Sequence, residues 1–317
     1  MATSWQLSLD RVASLMAADD DRIAPACKTQ FLSHGAATPC VHVLLHGYTN
    51  SPAQFREIAQ AYFGAGDNVL VPRVPFHGYV DPLTHELSEL TPEVLEAFCN
   101  ELAEAAAGLG ERLVVTGLSL GGMLAGYLAK MRDEVAESRL VAPFIQPNAV
   151  PEWVNAPFDA AMRALPDVYS WWNPKLREKE VAGTWATPKF SLKAVAAQIA
   201  TRRHLERTAS PRSTRLDRVL LVINDNDIAV RNDIARRFVT EQLEPLSLAV
   251  EVVEINKALG FTHDVFEANG DNHDRMDSVR DEVWPLLGLT APAHGVLDAP
   301  TPGGGYYPEL GRWARRA

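Results

Sequence analysis

The chain alternates between short runs of consecutive apolar residues and longer stretches in which apolar residues recur every three to four positions. Consecutive apolar runs are typical of strands buried on both faces, and the longer spacing is typical of helices with one buried side. The predicted strands are 23–32, 41–45, 68–72, 113–116, 139–144, 218–223 and 249–255. The predicted helices cover 51–62, 91–109, 120–129, 233–243 and 278–287. This alternation predicts an α/β fold with a mostly parallel central sheet flanked by helices.

Two of the predicted helices begin with recognisable capping residues. Ser51 is followed by Pro52 and then by Gln54, which matches a capping box whose two side chains bond to backbone N–H groups of the first turn. Thr91 stands before Pro92, another favoured pair at a helix start. We therefore expect both helices to begin directly at these residues.

Residues 147–215 interrupt the alternation of strands and helices. Prolines recur there, and four of the seven tryptophans of the chain fall in this stretch, namely Trp153, Trp171, Trp172 and Trp185. We interpret the stretch as a helical lid inserted into a core that is formed by residues 1–146 and 216–289. Residues 290–317 are rich in Pro and Gly and are interpreted as a peripheral C-terminal tail.

The composition and net charge of the chain exclude several classes of protein. The chain of 317 residues is 47% hydrophobic, which is enough to bury a large core. Its net charge of −10 argues against a nucleic-acid partner or an anionic membrane surface. We find neither a signal-peptide pattern nor an apolar stretch of the roughly 18 residues that a transmembrane helix needs. The 3 cysteines lack metal-ligand spacing, so we expect a soluble cytoplasmic protein with reduced thiols and no metal site.

The most informative chemical signal is the pattern Gly117-x-Ser119-x-Gly121 between the predicted strand 113–116 and the helix that follows it. A serine on such a turn sits in strained backbone, and its neighbours must be glycines because side chains would strike the strand or the helix. The turn exposes the hydroxyl above the edge of the sheet, at a helix N-terminus that can stabilise a developing oxyanion. We therefore predict that Ser119 is a nucleophile.

A serine nucleophile needs a histidine base that is oriented by a carboxylate, and in this type of fold the chain order is serine, acid, histidine. Asp227 follows the strand 218–223 and is preferred as the acid over Asp225, which is interpreted as a turn former. His263 follows the strand 249–255 and is preferred as the base. The alternative base is His273, whose polar neighbours indicate a solvated loop before the last helix.

The oxyanion hole is predicted to use two backbone N–H groups. One belongs to Leu120, the residue after the nucleophile. The other belongs to Tyr48, in the loop that follows the strand 41–45. His46 lies in the same loop and is interpreted as a residue that holds the loop through hydrogen bonds, because a catalytic base must reach the nucleophile.

Two segments carry a resemblance to a known family, residues 46–52 (HGYTNSP) and residues 117–122 (GLSLGG). Together they resemble the α/β-hydrolase superfamily, in the branch of bacterial carboxylesterases and monoacylglycerol-lipase-like enzymes that also includes serine-aminopeptidase-like members. The resemblance implies an α/β-hydrolase core. It also implies the roles of nucleophile, acid, base and oxyanion donors for Ser119, Asp227, His263, and Tyr48 with Leu120.

The ordered serine, aspartate and histidine favour a cofactor-free serine hydrolase that cleaves carboxylic esters through an acyl-enzyme. A tryptophan-rich lid favours a small-molecule ester with an apolar or aromatic acyl group of short to medium length. A peptidase or amidase on the same residues is an alternative, with Glu178, Glu180 or Asp159 as candidates to hold a substrate amine. A non-catalytic binding protein is a third possibility, which the presence of all three residue types disfavours.

Overall fold

The computed structural model describes residues 3–172, 186–266 and 272–290. The strands within these residues are β1 (Gln30–Leu32), β2 (Thr38–Leu45), β3 (Asn68–Val71), β4 (Gly110–Leu118), β5 (Val135–Val141), β6 (Tyr169–Trp171), β7 (Lys189–Ser191), β8 (Arg218–Asn224) and β9 (Val250–Ile255). Seven of these described strands form one sheet in the order β1-β3-β2-β4-β5-β8-β9, and β6 pairs with β7 separately. In the large sheet β1 is antiparallel to β3 and every other pair is parallel. The predicted mostly parallel sheet is confirmed.

Helices flank this sheet. Those within the described residues are α1 (Ser4–Ala17), α2 (Arg56–Gly64), α3 (Pro92–Ala106), α4 (Leu120–Met131), α5 (Asn155–Ala164), α6 (Leu192–Arg207), α7 (Asn232–Phe238) and α8 (Met276–Val283). A single π-helical segment, Val239–Leu243, continues α7, and a 3₁₀ turn, Pro285–Leu287, follows α8. No helix in the described ranges combines the length and the apolar character needed to cross a membrane.

Four predicted strands have bounds that differ from the structure by more than one residue. Strands β2 and β4 extend beyond the predicted 41–45 and 113–116, and β5 begins at Val135, earlier than predicted. The predicted strand 23–32 is wrong over its first part, where Pro25–Cys27 forms a 3₁₀ turn and only the last three residues pair as β1. The predicted strand 139–144 instead ends at Val141. Ala142 has a φ of 41°, and Pro143 has no N–H to donate to a neighbouring strand. The chain therefore leaves the sheet beside the predicted nucleophile.

The two predicted helix starts have different outcomes. Thr91 caps α3 as predicted, since its Oγ1 accepts a hydrogen bond from Val94 N. The capping box at Ser51 is wrong, because Ser51 makes no side-chain capping bond and the α-helix begins only at Arg56, after a 3₁₀ turn. The Gln54 side chain instead forms hydrogen bonds with two other loops near the predicted site, so it links these loops and does not cap a helix.

The predicted insertion contains more than helices. Between residues 147 and 215 the structure describes α5, the antiparallel pair β6–β7, and α6. Helix α6 contacts α3 and α4 of the core and is largely buried. The division into core, lid and tail stays a prediction. Trp185 of the predicted lid and residues 291–317 of the predicted tail lie outside the described residues.

Candidate active site

Ser119 occupies a strained turn at the junction of β4 and α4. Its φ of 56° and ψ of −115° are unusual for a residue with a side chain, and such strain persists only where the surroundings hold it. Here the backbone is held on both sides of the residue. Ser119 N donates to Val141 O at 3.0 Å, and Ser119 O accepts from Phe144 N at 2.8 Å. The end of β5 thus fixes the turn that presents the serine.

The two glycines of the motif are required by close backbone approach. A Cβ on Gly117 would clash with the carbonyl of Gly121, and a Cβ on Gly121 would clash with the carbonyl of Leu45 at the end of β2. Strand, helix and neighbouring strand therefore meet at this turn without room for a side chain. The prediction that the flanking positions need glycine agrees with these contacts.

The loop after β2 passes directly over Ser119. A Cβ on Gly47 would lie 3.6 Å from the Cβ of Ser119, which is ordinary van der Waals contact. Gly47 N donates to the side-chain oxygen of Gln54 at 2.8 Å. Because that N–H group is already bonded, the next one along the loop, on Tyr48, is the candidate oxyanion donor. Leu120, which carries the other candidate N–H, is the first residue of α4.

The structure brings Asp227 and His263 together. The Nδ1 atom of His263 lies 2.5 Å from Oδ2 of Asp227. The other carboxylate oxygen of Asp227 accepts from Ala229 N at 2.8 Å and from Val230 N at 3.3 Å. The Asp227 side chain is fully buried, whereas 26% of the His263 side chain is exposed. With Nδ1 held by the carboxylate, Nε2 is the ring atom that can exchange a proton.

The two alternative residues lie elsewhere. The nearby negative charge of Asp225 raises the pKa of the Glu254 carboxyl. Asp225 therefore lies beside an exposed residue of β9. His273 is the first residue of the 3₁₀ turn His273–Arg275 that precedes α8. Its position agrees with the interpretation of a loop before the last helix.

Comparison with known proteins places the chain in a family. The sequence profile of the "Alpha/beta hydrolase family" matches residues 43–283. The chain belongs to this family. Among curated proteins, the thermostable monoacylglycerol lipase of Bacillus sp. (strain H-257) is 33% identical over 96 residues, which are 29% of this chain and 36% of that protein. The match thus spans little more than a third of the length of this curated relative.

Solved structures of hydrolases share the fold at low sequence identity. A structure of the metagenome-derived lipolytic enzymes LipS and LipT has a TM-score of 0.58 at 16% identity, covering 82% of this chain and 99% of that one. The monoacylglycerol lipase of Paleococcus ferrophilus also has a TM-score of 0.58, at 17% identity, covering 82% of this chain and 98% of that one. At this identity the similarity shows the α/β-hydrolase fold.

In this α/β hydrolase the loop that carries His263 is fastened to β8 and to the last helical region. The Asn224 side chain donates to Phe261 O at 2.8 Å and to Thr262 O at 3.0 Å. From the other side, Asn272 accepts from Thr262 N at 3.0 Å through its side-chain oxygen. Asparagine can brace a loop in this way because its amide is both a donor and an acceptor. These contacts hold the residue next to His263.

A second set of contacts joins the His263 loop to the loop over Ser119. Asp264 accepts from the side-chain nitrogen of Gln54 at 2.6 Å and from that of Asn50 at 3.1 Å. One carboxamide, that of Gln54, therefore bonds both to Gly47 N and to the residue after His263. The sequence analysis missed this role, because a capping-box pattern describes only local bonds.

His46 is held as a neutral structural residue. Its Nδ1–H donates to Gly47 O at 2.9 Å, and its Nε2 accepts from Val74 N at 3.0 Å, so both ring nitrogens are used. Burial lowers the pKa of His46 well below its usual value. The neighbouring His77 is also buried, and burial, assisted by the charge of Arg73, lowers its pKa to about 4. Both rings therefore hold the loop in place, and neither is assigned to the proton transfer.

These buried neutral histidines predict a loss of stability in mild acid. The pKa of His77 is about 4 in the folded protein, against 6.5 for an ordinary histidine. The unfolded chain therefore binds more protons between these values, and the free energy of unfolding falls as the pH drops from about 6.5 towards 4. At about 1.4 kcal/mol per pKa unit, we expect His77 to contribute about 1–3 kcal/mol of this loss.

Urea unfolding measured at several pH values between 7.5 and 4.5 checks this expectation. His77→Asn should be less stable at pH 7.5 but should lose less stability than the wild type on acidification, because the buried titrating group is gone. An unchanged slope of stability against pH in His77→Asn would contradict the assignment of His77 as a source of acid sensitivity.

Proposed function

We propose that this α/β hydrolase is a serine hydrolase that cleaves carboxylic esters through an acyl-enzyme. The observation that carries the proposal is the hydrogen bond between His263 and the buried Asp227. His263 lies on the loop that follows β9, and Asp227 lies on the loop that follows β8. The strained Ser119 directly follows β4. Since the carboxyl ends of parallel strands meet at one edge of a sheet, the three residues share that edge. A serine, an imidazole and an orienting carboxylate are the groups that acyl transfer needs.

In the first half of the reaction, Ser119 Oγ attacks the ester carbonyl carbon and its proton passes to Nε2 of His263. The carbonyl π electrons move to oxygen, which becomes the oxyanion of a tetrahedral intermediate. When the intermediate collapses, the bond to the alcohol oxygen breaks and His263 returns the proton to that oxygen. The alcohol leaves, and the acyl group remains on Ser119 as an ester.

In the second half, His263 takes a proton from water and the resulting hydroxide attacks the acyl-enzyme. Collapse of the second tetrahedral intermediate breaks the bond to Ser119, which regains the proton from His263. The carboxylic acid is released and the enzyme is restored. Asp227 stays ionised and stabilises the imidazolium form of His263 in both halves.

The backbone N–H groups of Tyr48 and Leu120 would hold the oxyanion in both intermediates. Such donors lower the barrier because they are already aimed at the position where negative charge develops. The closeness of Gly47 to Ser119, where an added Cβ would already be in van der Waals contact with the serine, supports this role for the loop over the nucleophile. The position of Leu120 as the first residue of α4 supports the other donor, since helix N-termini favour negative charge.

Esters of apolar acyl groups are the proposed substrate class. The curated relative and one of the structural relatives are monoacylglycerol lipases, and the other is described as lipolytic. A peptidase would need acidic groups for a substrate amine. Of the candidates, Asp159 lies on α5, and Glu178 and Glu180 lie outside the described residues. Because the relatives named above are lipases or lipolytic enzymes, we favour an ester over an amide, and a monoacylglycerol or similar small ester as the substrate.

A substrate panel tests the reaction class. We expect p-nitrophenyl esters and monoacylglycerols to be hydrolysed, with aminoacyl-anilides and acyl-anilides turned over at least about 100-fold more slowly, because an amide is the harder bond to break. A fluorophosphonate should abolish the activity and label Ser119 alone. Faster turnover of aminoacyl-anilides than of esters would favour the peptidase alternative, and labelling of another residue would contradict the proposed nucleophile.

A further inference from the structure

The β6–β7 sheet is bonded directly to the loop that carries the proposed oxyanion donor Tyr48. The Tyr48 hydroxyl donates to Ser191 O at 3.1 Å and accepts from Ser191 N at 2.9 Å, at the end of β7. Trp172, which follows β6, donates from its indole nitrogen to Thr49 Oγ1 at 2.9 Å. Thr187, before β7, donates from its backbone nitrogen to Thr49 O at 2.6 Å. The sheet therefore contacts two consecutive residues of this loop.

Thr49 has a backbone conformation that it would not keep on its own. Its φ is 66°, in the left-handed region, where a β-branched side chain is a genuine outlier. Strain of this kind persists only where neighbouring groups hold the residue. The Thr49 hydroxyl donates to Tyr48 O at 2.6 Å, and the bonds from Trp172 and Thr187 complete the set that holds it. Two of these three bonds come from residues that directly flank the β6–β7 sheet.

Tyr48 is held by its side chain as well as by its backbone. The ring is buried, and burial raises the pKa of its hydroxyl well above the usual value, so the phenol stays neutral. The ring makes an edge contact with Trp172 at 6.5 Å between centroids, and Trp172 packs in a tilted arrangement against Phe190 of β7 at 4.3 Å between centroids. The side chain of Tyr48 is therefore bonded directly to the β6–β7 sheet, and its backbone is linked to that region through Thr49.

We propose that Tyr48, Thr49 and Trp172 form a clamp through which the β6–β7 sheet fixes the Tyr48 N–H group in the oxyanion hole. The inference rests on the proposed function, because it concerns the donor of that reaction. The Tyr48 hydroxyl, Thr49 and Trp172 act here as positioning groups, since they affect the reacting atoms only through the Tyr48 N–H. An oxyanion donor is effective when it is preorganised at hydrogen-bond distance, and a displacement of about 1 Å can cost about 100-fold in rate.

The test is a set of conservative variants assayed with one p-nitrophenyl ester. Tyr48→Phe removes the hydroxyl, Thr49→Val keeps the shape but removes the acceptor, and Trp172→Phe removes the indole N–H. We expect each variant to lower kcat by about tenfold or more with KM changed less than about threefold, because donor positioning is felt in the transition state. Thr49→Ser keeps the hydroxyl and should restore most of the kcat that Thr49→Val loses.

Tyr169→Phe is a matched control. The Tyr169 hydroxyl also ties β6 to residues 85–88, donating to His85 O at 2.6 Å and accepting from Ser88 N at 3.2 Å, and neither of these bonds involves the loop of Tyr48. Tyr169→Phe should therefore leave kcat near that of the wild type. Because the Tyr169 bond to His85 is exposed and the Tyr48 bonds are buried, urea unfolding of both variants measures how much stability each one loses.

A trifluoromethyl ketone separates positioning from a purely structural effect. Its adduct with Ser119 carries an oxyanion, so its affinity should fall in parallel with kcat/KM across the clamp variants. A Tyr48→Phe enzyme with the kcat and ketone affinity of Tyr169→Phe would overturn the clamp alone. If the wild-type protein hydrolyses no ester, or if Ser119→Ala remains active, the proposed function and the clamp are overturned together.

Discussion

Ser119→Ala is expected to lower ester turnover by about 10³-fold or more, because the hydroxyl forms the covalent bond of the acyl-enzyme. The variant should still fold. The bonds that hold this turn are made by the Ser119 backbone to Val141 and Phe144, and alanine keeps them. The measurement is kcat for a p-nitrophenyl ester, together with the urea midpoint of the wild type and the variant.

Ser138→Ala is the matched control for this prediction. Ser138 is also a buried serine, on β5, and its hydroxyl donates to Ala125 O at 3.0 Å inside the core. Its replacement should cost about 1 kcal/mol of stability, as the loss of a buried hydrogen bond usually does, and should leave turnover unchanged. Near wild-type activity in Ser119→Ala would end the serine-hydrolase proposal.

The sequence predicts the central sheet well because buried parallel strands consist of consecutive apolar residues. The predicted strands 68–72 and 218–223 agree with β3 (Asn68–Val71) and β8 (Arg218–Asn224) to within one residue at each end. The turn at Ser119 is equally visible, because its requirement for glycine is local. Helix α1 is not among the predicted helices, although Leu9, Val12 and Met16 recur at helical spacing; most of its residues are exposed.

Contacts between distant segments are what the sequence cannot indicate. Gln54 follows Ser51 with the spacing of a capping box, yet its carboxamide bonds to Gly47 and, 210 residues away along the chain, to Asp264. The Tyr48 hydroxyl and Ser191 are separated by 143 residues. No local sequence pattern indicates such pairs, because the residues that neighbour each partner in the sequence give no sign of the other partner. The residues that position the site are therefore harder to predict than those proposed to carry the chemistry.

His263→Ala is expected to lower turnover nearly as much as Ser119→Ala, by about 10³-fold, because the two residues act as a unit and their losses do not add. The double variant Ser119→Ala/His263→Ala should accordingly be little worse than either single one. Asp227→Asn should cost a smaller factor, about 10²-fold or more, through the lost orientation of the imidazole and lost stabilisation of the imidazolium. The measurement is kcat for the same ester under identical conditions.

Two controls on the same loops make the assignment specific. His273→Ala should have little effect, because His273 begins the turn before α8 and is not assigned to the proton transfer. Asp225→Asn should also have little effect, because Asp225 lies beside the exposed Glu254 of β9, whereas Asp227 is the residue bonded to His263. An inactive His273→Ala with an active His263→Ala would show that the base is misassigned, and the serine-hydrolase reaction would then need His273 near Ser119. An Asp225→Asn enzyme as impaired as Asp227→Asn would remove the reason for preferring Asp227, since only Asp227 is bonded to the imidazole of His263.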